Sequence, residues 1–383
     1  MPTILPPLSV YVHIPWCVRK CPYCDFNSHT SPTQLPVEAY LKCLIEDLRQ
    51  DKALAQGRRV ESIFFGGGTP SLFPHAAIAE IIEAIDTHIG IKTQAEITLE
   101  ANPGTAEQGN FGGFKSAGIN RISLGVQSFN DQRLKTLGRI HNSADVTVAW
   151  KMLEKSGIDN INIDLMHGLP GQTDEEATDD LDQALQFHPQ HISWYQLTIE
   201  KNTAFYSAPP SLPDEDALIN IQDQGHAYLL SKGFEQYEVS AYSLPLRKSA
   251  HNMNYWRFGD YLALGAGAHG KITQADTGLI QRYRKTRQPD DYMDKTKNYT
   301  AHNEAIAKEQ LPLEFMMNAM RLTQGVQVED FERHTGLELA SISPTLNTLQ
   351  NRGLIEIDQS LIKPSPTGQR FLNNLLEAFI TPR

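Results

Sequence analysis

The chain has 383 residues, a length that corresponds to two or three domains at about 150 residues each. Hydrophobic residues make up 40% and charged residues 21%, which is ordinary for a globular protein and excludes a disordered or fibrous chain. The formal net charge of −11 disfavours a protein whose main task is sequence-independent binding of nucleic acid. Because no apolar run approaches the roughly 18 residues that cross a bilayer, and the start lacks the basic and apolar regions of a signal peptide, we expect a cytoplasmic protein.

Short apolar runs alternate with longer segments of helical period through the first two hundred residues. Helical stretches such as 37–56 and 144–155 separate the runs. The six predicted strands cover residues 9–16, 61–65, 95–99, 120–126, 160–165 and 191–198. Such a series implies a parallel sheet, which forms either an open doubly wound sheet or a partial barrel.

Unusual polar residues and glycines follow these predicted strands. The sequence GGGT covers residues 66–69 after the second strand, Glu100 follows the third, Gln127 follows the fourth, and Asp164 ends the fifth. A polar residue at a strand end is more often only a turn former. Several such residues at the carboxyl ends of strands favour a barrel, since barrel enzymes build their sites there. We therefore predict an α/β fold with a partial (β/α)6 barrel.

The pattern changes after Glu200. A proline-containing stretch at 207–213 precedes a predicted helix at 215–231 and a strand at 234–242, and the polar segment 271–303 is typical of a connector. From residue 311 onward, three short helices, a hairpin at 354–363 and a last helix predict a small winged-helix domain. We predict a barrel over 1–245, an extension with a connector over 246–304, and a C-terminal domain over 305–383.

Three of the four cysteines, Cys17, Cys21 and Cys24, are spaced C-x3-C-x2-C in the loop after the first strand. Such crowding suits a metal site in a reducing compartment better than a disulfide framework. Zinc and an iron–sulfur cluster are both candidates. Zinc needs a fourth ligand, for which Asp25 or His29 is available, whereas a cubane with three cysteines leaves one iron open to a small molecule.

These motifs resemble those of the radical S-adenosylmethionine superfamily. The cysteine loop follows YVHIPW, GGGTP follows the second strand, and RISLGVQSF, IDLMHGLPGQT and SWYQLTIE lie further along. The resemblance implies a 4Fe-4S cluster on the three cysteines, with S-adenosylmethionine chelated at the open iron. It also implies, by similarity to the group that contains the oxygen-independent coproporphyrinogen oxidase, these S-adenosylmethionine contacts: Tyr11, Tyr23, Gly67, Gly68, Thr69, Glu100, Gln127, Arg139 and Asp164.

Two departures separate the chain from that oxidase. The oxidase has a further cysteine two positions after the third cluster cysteine, where this chain has Phe26, and it has a longer segment before its first strand. The sequence is instead similar to the HemW-type haem chaperones, and the motif HNMNYW at 251–256 carries that resemblance. The resemblance implies that His251 ligates haem iron and that Tyr255 and Trp256 pack on the porphyrin. Taken alone, a histidine beside aromatic residues is more often a structural one.

Two further features lie beyond that motif. Arg282, Arg284, Lys285 and Arg287 form a basic run that is available to haem propionates, although such a run is usually only solvated. The sequence GAGAHG at 265–270 satisfies G-x-G-x-x-G, but the residues after it do not predict a helix, so we expect a loop over the barrel mouth with His269 facing the ligand.

The resemblance implies a haem chaperone that transfers haem to acceptor proteins such as respiratory enzymes. We expect a monomer or a cluster-dependent dimer, transient membrane contact, no nucleic-acid partner and no assigned catalytic residue. Whether the chain is also an enzyme stays open. The alternative function is that of an oxygen-independent coproporphyrinogen III oxidase, which decarboxylates a porphyrinogen.

Overall fold

The computed structural model describes residues 5–105, 110–358 and 360–380. Within these ranges, twelve strands form one sheet, with seven adjacent parallel strands at its centre. The strands are β1 Leu8–Ile14, β2 Val60–Gly67, β3 Ile91–Ala101, β4 Arg121–Gln127, β5 Ile161–His167, β6 His191–Gln196, β7 Glu235–Glu238, β8 Ala241–Ser243, β9 Asp260–Leu264, β10 His269–Thr273, β11 Ile280–Lys285 and β12 Thr300–Ala305. Their order across the sheet is β12-β11-β10-β9-β1-β2-β3-β4-β5-β6-β8-β7.

Strands β1 to β6 run in sequence order and pair in parallel with their neighbours, with helical segments between them. This arrangement confirms the predicted partial barrel of six βα units. The barrel does not close on itself, because β1 pairs in parallel with β9 and β6 pairs antiparallel with β8. The helices of this part are Val37–Asp51, His75–His88, Phe111–Ser116, Asp131–Thr136, Ser143–Ser156, Asp174–Leu185, Ala204–Ser207, Glu215–Ser231, Ala250–Trp256 and Pro289–Met293.

Local sequence signals explain several helix starts. Asn142 and Asp145 form a reciprocal capping box before the helix Ser143–Ser156, and Thr173 and Glu176 form one before Asp174–Leu185. The parallel strands are buried at nearly every position, including their polar residues, as expected of strands covered on both faces. No helix in the described ranges is both long and apolar enough to cross a membrane.

The prediction of a connector at 271–303 is wrong, because this segment contains most of β10, all of β11 and the start of β12. Its polar appearance has a physical cause. Lys271 and Lys285 are buried, and each is neutralised by buried aspartates on neighbouring elements. Two lysines therefore occupy core positions where a sequence pattern expects apolar residues. The predicted strand at 234–242 is likewise two strands, β7 and β8, which pair with each other.

The C-terminal part packs around a second apolar cluster, which includes Phe315, Phe331 and Leu349 and also contains Phe258 and Ile280 of the preceding part. Its helices are Leu311–Ala319, Val328–Thr335, Ser343–Asn351, Pro366–Arg370 and Leu372–Glu377. Its three-stranded sheet contains β13 Val326–Gln327, β14 Ile355–Asp358 and β15 Leu361–Pro364, in the order β13-β15-β14. Three helices followed by a two-stranded hairpin agree with the predicted winged-helix arrangement. The domain boundaries at 245 and 304 stay a prediction.

Candidate functional site

The three clustered cysteines line one cavity of about 610 Å³ at the carboxyl ends of the parallel strands. Cys17 belongs to a short strand, Trp16–Cys17, that pairs with His29–Thr30 and so closes the cysteine loop at its base. All three thiols are free and partly exposed. In the described ranges, no three His, Cys, Asp or Glu side chains converge closely enough to hold a single metal ion. The thiols therefore share a cavity without surrounding one point.

The surroundings of the thiols fit a soft metal group that supplies positive charge. Burial raises the pKa of Cys17 to about 11 and also raises the pKa of Cys24, so thiolates here need a compensating cation. Ser28 Oγ lies 3.8 Å from Cys24 Sγ, and Arg139 Nη1 lies 3.8 Å from Cys21 Sγ. Iron–sulfur clusters are held by cysteine thiolates, which bind separate irons and need not converge. The donor set is therefore suited to such a cluster.

The glycines after β2 allow the backbone to pass unusually close to its neighbours. Gly67 has φ +114°, and an added Cβ would lie 2.4 Å from the His13 ring. A Cβ on Gly68 would lie 2.5 Å from the carbonyl oxygen of Trp16. Both glycines and Thr69 line the cavity, as the sequence predicts. Packing against β1 thus supplies a reason for these glycines in addition to ligand contact.

Two partly buried carboxyl groups, Glu100 and Asp164, face the same cavity. Burial, with repulsion from Asp164, raises the pKa of Glu100 to about 8, although the backbone N–H of Gly67 donates to its Oε2 at 3.2 Å. Burial also raises the pKa of Asp164, which accepts hydrogen bonds from Ser123 Oγ and Asn162 Nδ2, both at 2.8 Å. Two adjacent carboxyl groups that form no ion pair within the described ranges suit a ligand that brings hydroxyl or ammonium donors.

The other predicted contacts surround these carboxyls. Gln127 has φ +72° at the end of β4, and its Oε1 accepts a hydrogen bond from Tyr195 O–H at 2.7 Å. Arg139 donates to the Gly125 carbonyl at 2.7 Å, and Tyr23 lines the cavity beside the cysteines. Tyr195 and Ser123 also line this cavity, although they are not among the residues that the sequence predicts for the site. The only signal for Tyr195 was its place in SWYQLTIE at the end of β6.

Tyr11 lies elsewhere. It lines a second cavity of about 760 Å³, where its O–H and His13 Nδ1 are 3.0 Å apart. Asp25, Phe26, Gly67 and Glu100 line both cavities and so form the wall between them. The predicted contacts of S-adenosylmethionine are therefore brought together around the cysteines, except for Tyr11.

The motif HNMNYW forms the helix Ala250–Trp256, which crosses beneath β1 and β2. His251 is 1% exposed, with Nδ1 3.0 Å from Ser62 Oγ, Nε2 3.1 Å from Tyr255 Oη, and its ring stacked on Phe64. Burial lowers the pKa of His251 to about 3. Both nitrogens are thus occupied within the protein, and iron ligation by His251 requires the Tyr255 contact to break.

Tyr255 and Trp256 diverge. Tyr255 lines the second cavity and meets Tyr261 edge to face, with ring centroids 4.4 Å apart. Trp256 lines the cysteine cavity, and the guanidinium of Arg321 from the C-terminal part stacks over its ring at 4.4 Å. The motif therefore contributes one aromatic side chain to each cavity.

The basic run separates into two groups. Arg282 pairs with Glu314, and buried Lys285 pairs with Asp47 and Asp51. Arg284 and Arg287 are exposed and line the second cavity with His269. GAGAHG forms a turn that leads directly into strand β10 and not into a helix, so the motif does not form a dinucleotide-binding βα unit.

Comparison with known proteins identifies the relatives of this chain. The Radical SAM superfamily model matches residues 11–184, and the model of the HemN C-terminal domain matches residues 306–371. A protein of Haemophilus influenzae named "Heme chaperone HemW" is 49% identical, covering 98% of this chain and 99% of the relative. The protein of the same name from Escherichia coli is 47% identical, with the same coverage. This chain belongs to the HemW family.

More distant proteins are also similar to this chain. The mouse protein named "Radical S-adenosyl methionine domain-containing protein 1, mitochondrial" is 33% identical, covering 96% of this chain and 86% of the relative. The solved structure of coproporphyrinogen III oxidase (HemN) from Escherichia coli has a TM-score of 0.82 at 22% identity, covering 98% of this chain and 91% of that chain. At this identity the likeness shows the fold alone. Membership of the radical S-adenosylmethionine family implies a 4Fe-4S cluster and S-adenosylmethionine as cofactors.

Proposed function

We propose that this chain is a haem chaperone, which binds haem and transfers it to acceptor proteins. The observation that carries the proposal is its similarity, over 98% of its length, to relatives named as haem chaperones. Phe26 supports the same function, since it replaces the additional cysteine of the oxidase beside the cluster loop and is 58% exposed.

We propose that Cys17, Cys21 and Cys24 hold the 4Fe-4S cluster and that the rest of their cavity holds S-adenosylmethionine. When bound, the cluster supplies one electron for cleavage of the sulfonium. The proposed S-adenosylmethionine contacts in this cavity are Tyr23, Gly67, Gly68, Thr69, Glu100, Gln127, Arg139 and Asp164. Glu100 and Asp164 accept hydrogen bonds from the ligand, while Arg139 and Gln127 orient its polar groups. Tyr11 stays a predicted contact, now on the far side of the shared wall.

Tyr255 is the proposed aromatic contact of haem, and Trp256 stays a predicted one, because the two rings line different cavities. Each supplies a ring at a cavity wall, where a flat conjugated ligand gains burial and stacking. His251 as the axial ligand stays a prediction. Because both of its ring nitrogens already have partners within the protein, we propose that His251 positions Tyr255.

The proposed clients are haem-accepting proteins such as respiratory enzymes, reached in the cytoplasm through transient contacts that include the membrane surface. The proposed state of assembly is a monomer or a dimer that depends on the cluster. Nucleic acid is not a proposed partner. Residues 305–383 carry 7 Lys and Arg against 9 Asp and Glu, a balance of −2 that does not favour DNA contact.

Haem transfer tests the proposed function. Protein reconstituted with iron and sulfide without oxygen, then loaded with haem, is mixed with a haem-free respiratory cytochrome, and the cytochrome's Soret spectrum is followed. We expect transfer from the loaded chain, and a different rate when the cluster is omitted. The proposal is contradicted if haem moves from this chain to the cytochrome no faster than it moves from serum albumin, and with no preference for the cytochrome.

The alternative is an oxygen-independent coproporphyrinogen III oxidase, because the chain is similar in fold to such an oxidase. Release of carbon dioxide from coproporphyrinogen III by the reconstituted protein, with S-adenosylmethionine and a reductant, supports this alternative. We expect none, because the chain has Phe26 in place of the additional cysteine of the oxidase.

A further inference from the structure

The second cavity has features of a haem site that neither the cysteine cavity nor His251 provides. Its volume of about 760 Å³ falls within the usual range for a site that encloses a large organic ligand. Tyr255, Tyr261 and Tyr11 supply aromatic surface, and the basic side chains His269 and Arg284 lie on β10 and β11. The lining thus offers both aromatic rings and basic groups, as an amphipathic planar ligand with carboxylates requires.

His269 is the imidazole of this cavity that is open to a ligand. It begins β10 and is exposed, and its ring forms no hydrogen bond or ion pair within the described part of the chain. The other histidine of the lining, His13, is 4% exposed, and its two nitrogens face Tyr11 Oη at 3.0 Å and the Asn27 carbonyl at 2.9 Å. Neutral imidazole is a common axial ligand of haem iron, and His269 has a free lone pair for it.

Two arginines lie beside this imidazole. Arg284 is the direct register partner of His269 across β10 and β11, so both side chains project from the same face of the sheet. Arg287 follows on the loop, where its Nε donates to Asn27 Oδ1 at 3.3 Å. Neither guanidinium forms an ion pair within the described ranges, unlike Arg282 and Lys285 of the same run. Two unneutralised guanidinium groups match the two carboxylates of haem.

The acidic groups of the lining do not cancel this charge. Asp25 is exposed at the rim, and Glu100 has a pKa raised to about 8 by burial, which keeps it largely neutral at pH 7. Lys285 also borders the cavity, but its charge is balanced by Asp47 and Asp51. The cavity is therefore suited to an anionic ligand.

We propose that haem occupies this second cavity, with His269 as the axial ligand of iron and Arg284 and Arg287 paired with the propionates. The proposal rests on the proposed function and specifies where the haem lies. Tyr255 of HNMNYW contacts the porphyrin there, and His251 holds Tyr255 in place. The shared wall of Asp25, Phe26, Gly67 and Glu100 puts haem beside the cluster cavity without overlapping it.

Titration of the full-length, cluster-reconstituted chain with haemin tests the ligand. We expect His269→Ala to shift the Soret band and weaken haemin binding about tenfold or more, with the spectrum restored by added imidazole. His269→Met gives a second variant, in which a changed axial ligand alters the spectrum without removing the side chain. His302→Ala, the matched control, faces Arg284 from β12 without lining the cavity, and we expect a wild-type spectrum from it.

The arginines are tested by the double variant Arg284→Gln/Arg287→Gln against haemin and haemin dimethyl ester. We expect about tenfold weaker binding of haemin and no change for the ester, whose propionates carry no charge. An unshifted spectrum in both His269 variants, or loss of the ligand spectrum only in His251→Ala, overturns the inference. If the wild-type chain binds no haemin at all, the proposed function fails first, and the inference fails with it.

Discussion

Gly67 illustrates how a single residue determines the wall between the two cavities. Its amide donates to Glu100, its φ of +114° lies in a region that side chains disfavour, and the His13 ring leaves no space for a Cβ. The same glycine thus fixes the position of a partly buried carboxyl group and allows β1 and β2 to lie close together. Backbone strain and steric overlap would both follow from any side chain here.

We expect Gly67→Ala to lower the free energy of unfolding by about 3 kcal/mol, since left-handed strain and overpacking each cost roughly 1–3 kcal/mol. Gly57→Ala is the matched control. Gly57 also has a positive φ, of +77°, but an added Cβ would meet nothing within 4 Å. Strain alone therefore predicts a loss of about 1 kcal/mol there. Denaturant unfolding of the cluster-free protein measures both, and equal losses would show that the His13 contact is unimportant.

The residues of the site divide according to the signal each gives in the sequence. The cysteines, the glycines and Glu100 stand directly after apolar runs, so their common location follows from the parallel sheet. Tyr195 and Ser123 give no such signal, because they differ from ordinary strand residues only through their partners Gln127 and Asp164. Tyr11 has the expected position in the sequence, but the face of β1 on which it lies puts it in the other cavity.

At the scale of elements, β11 is attached to the barrel through a buried ion cluster. Lys285 is fully buried and binds Asp47 and Asp51, which lie on the helix Val37–Asp51 next to β1. Tyr292 O–H also donates to Asp47, at 2.6 Å. Burial raises the pKa of Asp47 to about 6, and Lys285 opposes that shift. The cluster therefore holds the added strands in register against the first helix.

We expect Lys285→Met to cost about 3–5 kcal/mol of unfolding free energy, because it leaves two carboxyl groups buried without their cation. The double variant Lys285→Met/Asp47→Asn should recover part of this loss. Lys297→Met is the matched control, since Lys297 and Asp291 form an ion pair about half exposed to solvent, and we expect no measurable change. Urea unfolding at pH 7 checks all three. No recovery in the double variant would contradict the charge explanation.

The same cluster explains why sequence reasoning succeeded for the barrel and failed for its extension. Strands β1 to β6 are apolar runs bounded by turn residues, so they were located to within a few residues. Strands β10 and β11 carry Lys271 and Lys285 in buried positions, and β11 also carries the exposed Arg284. Their aspartate partners lie up to 238 residues away, a distance that no local pattern reveals.

At the scale of the whole molecule, the barrel and the C-terminal part share an apolar cluster, in which Phe258 meets Phe315 edge to face, and they also make polar contacts. Arg321 binds Glu238 at 3.0 Å, Arg282 binds Glu314, and His334 is 8% exposed near Lys271. Burial, together with the charges of Lys271 and Arg333, lowers the pKa of His334 to about 4. The junction thus contains a neutral imidazole among cations.

Acid should weaken this junction. Because the folded pKa of His334 lies below its unfolded value of about 6.5, its contribution to stability is complete above pH 6.5 and is lost progressively as the pH falls towards 4. Between pH 7 and pH 5 we expect the wild type to lose roughly 2 kcal/mol more unfolding free energy than His334→Gln. Urea denaturation at both pH values measures this difference. The two proteins should change in parallel between pH 7 and pH 8, and parallel behaviour down to pH 5 would contradict the assignment.

The sheet ends at β12, where five of six side chains are exposed and His302 and Glu304 are among them. An edge strand presents unpaired backbone groups that invite a strand from another molecule, and charged side chains are a common means of preventing such addition. The polar edge of β12 therefore disfavours both aggregation and a dimer built as a continuous intermolecular sheet through this strand.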